Sequence, residues 1–301
     1  MSAPTGVVDE LRSATAQLAQ AGIDSARGDA EWLMAHVLDT DPGRLVVIDE
    51  IDDAHRRAFR AAVSRRAQRI PLQHIVGTAA FGPIELAVGP GVFIPRPETE
   101  YLLEWVVTTA VPRARALAQA DTSPGPLLIA DLCSGSGALA ISIATMIPDA
   151  RVIAVEADED ALLWLRRNVA DAPPAVGARV EVVAADVTDA DRIAEVVPGG
   201  VSVIVSNPPY VPLDAGIGPE VAHDPARAVF GGADGMSVIV PMTPVIATML
   251  VPGGFVGIEH DDTTSEAVVE CLLAHGGFDE VTPRNDLTGR PRFVTARRTA
   301  P

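Results

Sequence analysis

Asn207-Pro208-Pro209-Tyr210 carries the most concentrated chemistry in the chain. It closes the run Val201-Ser202-Val203-Ile204-Val205-Ser206, where β-branched residues followed at once by turn-formers predict a short buried strand. A carboxamide is therefore aimed out of the C-terminal end of a strand. Pro208 and Pro209 stiffen the backbone and donate no N–H, so their carbonyls stay free to accept hydrogen bonds. Tyr210 adds a flat ring. Amide oxygen, backbone carbonyl and aromatic wall make a slot for a planar group bearing NH₂. The plainer alternative is a proline-rich turn whose Asn caps the strand.

Other residues with chemistry fall at the ends of neighbouring apolar runs. Asp131 ends Leu127 to Asp131, and Gly135-Ser136-Gly137 follows as a turn of small residues that lets a ligand approach the backbone and the free N–H groups of the next helix. Glu156 ends Val152 to Glu156 about 20 residues on, the place from which a carboxylate accepts both hydroxyls of a ribose. Asp186-Val187 follows Val180 to Ala184 and suits an adenine amine and its ring. Together with Asn207, these loops describe a nucleoside pocket with a carboxamide at its reactive edge. Gly135 to Ala140 also satisfies a relaxed dinucleotide fingerprint, so an NAD-dependent oxidoreductase is an alternative, but one that gives no reason for Asn207 to Tyr210. Ser134 and Ser136 lack the glycines of a nucleophile elbow. Glu259-His260-Asp261-Asp262 is acidic enough to suggest a metal, yet neighbours on one strand point to opposite faces. No metal is expected.

The elements that must hold these residues follow from periodicity. From about Thr5 to Arg69, apolar positions such as Val8, Leu11, Leu18, Trp32, Leu33, Val37 and Leu38 recur at helical spacing, broken at Gly22 and at Asp41-Pro42-Gly43. Residues 1–70 are thus expected to form a small helical domain. Residues 71–97, with Gly77, Gly82-Pro83 and Gly89-Pro90-Gly91 between short apolar pieces, read as a hairpin-like connector. Residues 98–301 form the third region. It starts with a helix from about Glu98 to Ala118, introduced by Pro97 and acidic residues. After a Thr122-Ser123-Pro124-Gly125-Pro126 loop come alternating strands and helices, with helices at 138–147 and 158–170, strands at 201–205 and 254–259, and late strands near 279–283 and 292–296 for an antiparallel edge. This is an α/β doubly wound, Rossmann-like sheet, mostly parallel, in which ligands collect outside the strand C-termini.

Composition narrows the partners. The 301 residues are 48% hydrophobic, enough for a sizeable core, and carry a net charge of −17, which disfavours a protein gripping nucleic acid through phosphates. One basic cluster, Arg56, Arg57, Arg60, Arg65, Arg66 and Arg69, reads as a solvated helix face. With no lysine, P-loop and Schiff-base chemistry are excluded. Two cysteines make no disulfide framework and point to a reducing cytoplasm. No signal peptide is legible. Val238 to Ile258 is uncharged, but its prolines and glycines argue for a helix that ends at a Pro-Gly-Gly turn before a buried strand, not for a membrane span.

With these residues in hand, the chain resembles class I S-adenosylmethionine-dependent methyltransferases that act on amino groups, and within them the release factor glutamine methyltransferases, the HemK or PrmC family. Asp131-Leu132-Cys133-Ser134-Gly135-Ser136-Gly137 is similar to the family's cofactor loop, Asn207 to Tyr210 to its catalytic tetrapeptide, and Phe93 to Glu100 to its Pro-Arg-Pro-Glu-Thr-Glu element. The tetrapeptide is shared with nucleobase amino-methyltransferases, whereas Phe93 to Glu100 narrows the resemblance; a related family acting on a ribosomal protein differs after the Pro-Arg pair. Asp224 to Gly235 fits the family's segment after the tetrapeptide, its plainer alternative being a Gly-rich surface loop. Two departures stand out: Glu156 where Asp is frequent, and His260-Asp261 where Gly is frequent.

The resemblance implies S-adenosylmethionine as cofactor, bound by Asp131, Cys133, Ser134, Gly135, Ser136, Gly137, Glu156, Asp186, Val187 and Asn207. It implies catalysis at Asn207, Pro208, Pro209 and Tyr210, and peptide chain release factors as protein substrates, docked by the N-terminal helices and methylated on the glutamine of a Gly-Gly-Gln loop. It carries no expectation of direct nucleic-acid or membrane binding, and a monomer is expected.

Overall fold

The computed structural model describes residues 6–118, 127–197, 199–286 and 288–300. The start of the first expected helix at Thr5 and the expected loop Thr122 to Pro126 lie outside them. Two compact units divide the chain: one comprises Met1–Thr78 with Ile217–His223, the other Ala79–Gly216 with Asp224–Pro301.

The first unit contains α1 (Val7–Gln20), α2 (Ala26–Val37), a 3₁₀ turn at Pro42–Val47, α3 (Asp53–Ala67) and α4 (Leu72–Val76). Each of the three longer helices buries one stripe, including Val7, Ala14 and Leu18 from α1, Ala30, Leu33 and Met34 from α2, and Phe59, Ala62 and Val63 from α3. Asp52 caps α3 by accepting the His55 N–H at 2.8 Å. The arginine cluster is only in part the solvated face expected of it: Arg57, Arg60 and Arg65 are exposed, but Arg66 is buried. Arg60 and Arg56 hold the buried Glu10 carboxylate at 2.6 and 3.2 Å, while buried Arg66 meets buried Asp29 at 2.7 Å. Arg66 and Arg69 also take Glu220, at 3.1 and 2.7 Å. A buried carboxylate is tolerable only with such partners, so the cationic charge of α3 is largely spent inside its own unit.

Beyond the short hairpin of β1 (Thr78–Phe81) and β2 (Ile84–Ala87), the second unit continues with α5 (Glu100–Trp105), a π turn at Val106–Ala110 and α6 (Val111–Ala118). Pro112 has no N–H to give the preceding turn, and the widened π turn falls just before it. Then come β3 (Leu127–Leu132), α7 (Ala138–Met146), β4 (Ala150–Glu156), α8 (Glu159–Asp171), α9 (Pro174–Gly177), β5 (Val180–Ala184), α10 (Ala190–Val196) and β6 (Val201–Ser206). The chain continues through α11 (Ala226–Val229), α12 (Ile239–Met249), β7 (Leu250–Glu259), α13 (Ser265–His275), β8 (Phe278–Asn285) and β9 (Pro291–Arg298).

Seven strands form one sheet in the order β5-β4-β3-β6-β7-β9-β8, with β5 through β7 parallel and β9 and β8 antiparallel. Alternate residues feed two cores. Ile129, Val152, Ala154, Val203 and Val205 join the cluster under α5 to α8; Ala130, Ile153, Val155, Val201 and Ile204 join the one under α10, α12 and α13. Both faces are covered, which is why these strands read as continuous apolar runs. The largest difference from an expected strand boundary is at β7, which starts at Leu250 instead of Gly254. Val201 pairs with Leu250 but Val203 with Phe255, so Pro252-Gly253-Gly254 forms an irregularity inside the strand, Gly253 taking φ of 81°. Among the described residues no helix is long and apolar enough to cross a membrane.

Candidate active site

The strand order reverses at β3, from which the chain runs outward through β4 and β5 and then returns to β6. A crevice outside the strand C-termini belongs at such a point. Register places its contents. Leu132 pairs with both Val155 and Ser206, and Ser206 with Ile258. The next residue on each strand is Cys133, Glu156, Asn207 and Glu259, so one row across four strand ends holds most of the polar groups of the site.

On the β3 side, Asp131 is buried, and its Oδ2 accepts the Ala140 N–H at 3.0 Å, satisfying the first turn of α7 from outside the helix. Its Oδ1 is buried without a partner. Burial pushes the carboxyl up to about 7, against hydrogen bonding from the Ser134 and Ala140 positions. The turn that follows is held by Ser134 N–H to Val155 O at 3.0 Å, by Ser134 Oγ to Asp131 O at 2.8 Å and by Gly137 N–H to Ser134 O at 2.8 Å. Cys133 takes φ of 62°, a strained value for a residue with a side chain, and burial raises its thiol well above the usual range, so it stays protonated. Gly137 needs to be glycine: at φ of 88° an added Cβ meets Leu165 Cδ1 at 2.7 Å. Gly135 instead faces open space. Buried Ser136 offers its carbonyl to Asn168 Nδ2 at 2.9 Å, and the same amide spans to β2 through Ala87 O at 3.0 Å and Ala87 N–H at 2.8 Å. Asn168, in the middle of an amphipathic helix, has no local sequence signal for that role.

Glu156 accepts the Gly135 N–H at 2.7 Å on Oε2 and those of Ala157 and Asp158, both at 2.9 Å, on Oε1. It therefore ties the β4 end to the β3 turn while burial raises its pKa. Asp186 is exposed and closes its own turn by accepting the N–H and hydroxyl of Thr188 at 2.8 and 2.7 Å, whereas Val187 is buried in the core.

On the other side of the crevice, half-buried Asn207 donates from Nδ2 to Thr99 Oγ1 at 3.1 Å. Thr99 lies in the 3₁₀ turn Pro97–Thr99 that leads into α5, close enough to Glu259 to hold that carboxyl's pKa down against burial. The Tyr210 hydroxyl donates to Glu259 Oε1 at 2.9 Å. Pro208 is buried and Pro209 half-buried. Glu259 thus belongs to the site, a role missed by viewing it only as part of an acidic cluster; it ends its strand just as Glu156 does, and that rule finds it. Neighbouring His260 is fully buried, its Nδ1 against Asp261 O at 2.8 Å, and burial lowers its pKa, leaving it neutral. Among the described residues no three His, Cys, Asp or Glu side chains gather to hold a metal.

The segment Asp224 to Gly235 is no surface loop. Buried Asp224 accepts the Ile94 N–H at 3.3 Å and pairs with Arg96, joining this segment to the Pro-Arg-Pro element. Val211 N–H bonds to Val229 O and Gly231 N–H to Val211 O, each at 2.9 Å. A Cβ on Gly231 or Gly235 would lie 2.6 Å from Pro209 O or 2.3 Å from Tyr210 O. Glycine at both positions lets one backbone brace the other.

Fold and site together define a Rossmann-like methyltransferase. Comparisons agree: the family described as PrmC N-terminal domain matches residues 9–77, and Methyltransferase small domain matches residues 117–223. A release factor glutamine methyltransferase from Mycolicibacterium smegmatis is 53% identical over 96% of this chain and 97% of its own length. Its counterpart in Corynebacterium glutamicum is 48% identical over 96% and 98%. A methyltransferase structure from Pyrococcus furiosus, 18% identical, shares the fold at a TM-score of 0.51 over 79% of this chain and 99% of that one. The chain belongs to the release factor glutamine methyltransferase family.

Proposed function

We propose that this enzyme transfers the methyl group of S-adenosylmethionine to the side-chain amide nitrogen of the glutamine in the Gly-Gly-Gln loop of peptide chain release factors. The observation that carries the assignment of roles is Asn207: its NH₂ is engaged by Thr99, which leaves Oδ1 as the atom for a ligand.

The β3 side fits the cofactor. It has an unpartnered buried carboxylate oxygen on Asp131 suited to an ammonium, open space above Gly135, and a carboxylate on Glu156 whose three N–H bonds leave room for a hydroxyl. Asp186 and Val187 would flank the adenine, with the turn Cys133 to Gly137 supplying backbone contacts. When bound, S-adenosylmethionine supplies a methyl group on cationic sulfur. Asn207 Oδ1 and the Pro208 carbonyl accept the two hydrogens of the substrate amide, turning its nitrogen towards that methyl and stabilising the positive charge that builds on the amide as its lone pair is used. The surplus proton leaves afterwards to solvent, so no strong base is required. Pro209 and Tyr210 wall the slot. The glycines of the substrate loop let it extend into a narrow site.

The experiment is incubation of the purified protein with labelled cofactor and a release factor, followed by mass spectrometry of the Gly-Gly-Gln peptide. A methyl on the glutamine is expected; label in nucleic acid and none in the peptide would overturn the reading.

Two binding results are expected as well. Glu156→Ala loses both the ribose acceptor and the tie to Gly135, and calorimetry should show S-adenosylmethionine affinity falling by at least about tenfold, roughly 1.4 kcal/mol; an unaltered affinity removes Glu156 from the ribose site. Asp131, with a pKa of about 7, is largely protonated below neutrality in the free protein, and a bound cation favours its ionised form. Binding therefore releases a proton, and affinity should rise with pH and level off above about 7. Calorimetry in buffers of different ionisation enthalpy reads that proton directly, and zero release at pH 6 would exclude Asp131 as the ammonium's partner.

A further inference from the structure

The carboxamide of Asn207 has two ends of similar shape and opposite hydrogen-bonding character, and only one of them serves the slot. An incoming amide NH₂ needs an acceptor; a flipped Asn207 would present a second NH₂ to it. Thr99 does not choose between the ends alone, since its hydroxyl can donate to Oδ1 or accept from Nδ2. The choice depends on where the hydroxyl proton goes. A buried carboxylate, Glu259, lies at the register position next to Asn207 on the adjoining strand, near enough to Thr99 for that hydroxyl to favour its ionised form. An ionised carboxylate has no proton to give, so it draws the Thr99 proton, and Thr99 Oγ1 is left to accept from Asn207 Nδ2.

We propose that Glu259 is a positioning residue that sets the polarity of the slot: acting through Thr99, it holds the Asn207 NH₂ inward and leaves Oδ1 for the substrate amide. The inference rests on the proposed role of Asn207 as acceptor. Tyr210 is locked by the same carboxylate, its hydroxyl donating at 2.9 Å, and burial raises its pKa so that it keeps the proton it donates. One carboxylate therefore holds the Tyr210 wall and, through Thr99, the Asn207 amide.

The relay works only while Glu259 is ionised. Burial pushes its pKa up to about 7, opposed by the Thr99 and Tyr210 hydrogen bonds and by the charge of Arg292 on β9, with Glu98 in the turn before α5 acting in the same direction as burial. Arg292 is itself paired with Asp286 at 2.9 Å, and His260 and Asp261 follow Glu259 in the chain. Once protonated, Glu259 can donate to Thr99 Oγ1, which frees the Thr99 hydroxyl to donate to Asn207 and favours the flipped amide.

The test compares wild type with Glu259→Gln, Thr99→Val and Thr99→Ser at saturating cofactor, which removes the Asp131 binding effect. Wild-type kcat should climb with pH through about 7 and then level off. Glu259→Gln, whose NH₂ donates to Thr99 where the carboxylate accepted, should be at least about tenfold slower above neutral pH, with no rise there and S-adenosylmethionine affinity retained. Thr99→Val should lose a similar factor, Thr99→Ser should recover most of it, and the Glu259→Gln/Thr99→Val double variant should be no slower than the worse single one. Independently of turnover, ¹⁵N NMR of the free protein should show Asn207 side-chain amide protons shielded from exchange above neutral pH in wild type and Thr99→Ser, and unshielded in Thr99→Val. Wild-type kcat and pH profile in Glu259→Gln, multiplying losses in the double variant, or amide exchange indifferent to Thr99 would each overturn the proposal. A wild type that methylates no release factor would instead sink the function reading, and the NMR comparison would still decide the orientation.

Discussion

Asn207→Ala should lower kcat for release factor methylation by about 100- to 1000-fold, roughly 2.7–4 kcal/mol of transition-state stabilisation, while the protein still folds and binds S-adenosylmethionine. The amide nitrogen of glutamine is a weak nucleophile because its lone pair is delocalised into the carbonyl. Acceptors placed at its two hydrogens matter most when positive charge develops there, so the loss belongs in kcat more than in substrate binding. Asn207 is half-buried and its amide NH₂ bonds to the Thr99 hydroxyl, so truncation removes one side-chain bond from the fold and leaves the β3 turn untouched. Single-turnover kinetics with cofactor in excess separate the two effects. Wild-type turnover in this variant would remove Asn207 from the reaction.

The second large effect is expected at a residue with no functional group. Gly235→Ala places a Cβ 2.3 Å from the Tyr210 carbonyl oxygen in a residue held at φ of 77°. Backbone cannot yield as a flexible side chain does, and a left-handed alanine adds strain of about 1–2 kcal/mol on its own. Relief comes by pushing Tyr210 and, through it, the slot. Stability should fall by about 3 kcal/mol, with kcat falling more steeply than cofactor affinity. The control is Gly28→Ala, a helical site with nothing within 4 Å of the added methyl, where stability should hold or rise by about 0.5 kcal/mol. Equilibrium denaturation of both variants, with matched assays of turnover and cofactor binding, checks the pair. A Gly235→Ala protein as stable and active as wild type would mean that this segment does not brace the tetrapeptide.

Much of the architecture was legible in the chain itself. Strands buried on both faces need apolar residues at successive positions, so β3, β4, β5 and β6 appear as runs dominated by Val, Ile, Leu and Ala, and polar residues at or just after their ends mark the C-terminal edge. Asp131, Glu156 and Asn207 were visible for that reason, as was the antiparallel pair β8 and β9. Short elements were not: α4, α9, α10 and α11 bury too little for periodicity to show.

Which groups could do chemistry was readable from the chain, because residue type and position at a strand end are local properties. Tertiary structure alone decided which of them meet. Register across β3, β6 and β7 sets Glu259 beside Asn207, although 51 positions of chain (259 minus 207, less one) lie between them. The fold also brings Thr99 from a distant turn to Asn207, turns the arginines of α3 onto Glu10, Asp29 and Glu220, and presses Gly231 and Gly235 against Pro209 and Tyr210. The physical reason is the same in each case: a buried charge, an amide direction and a backbone contact are satisfied by whatever the fold brings within about 3 Å, and nothing in the neighbouring sequence records that distance.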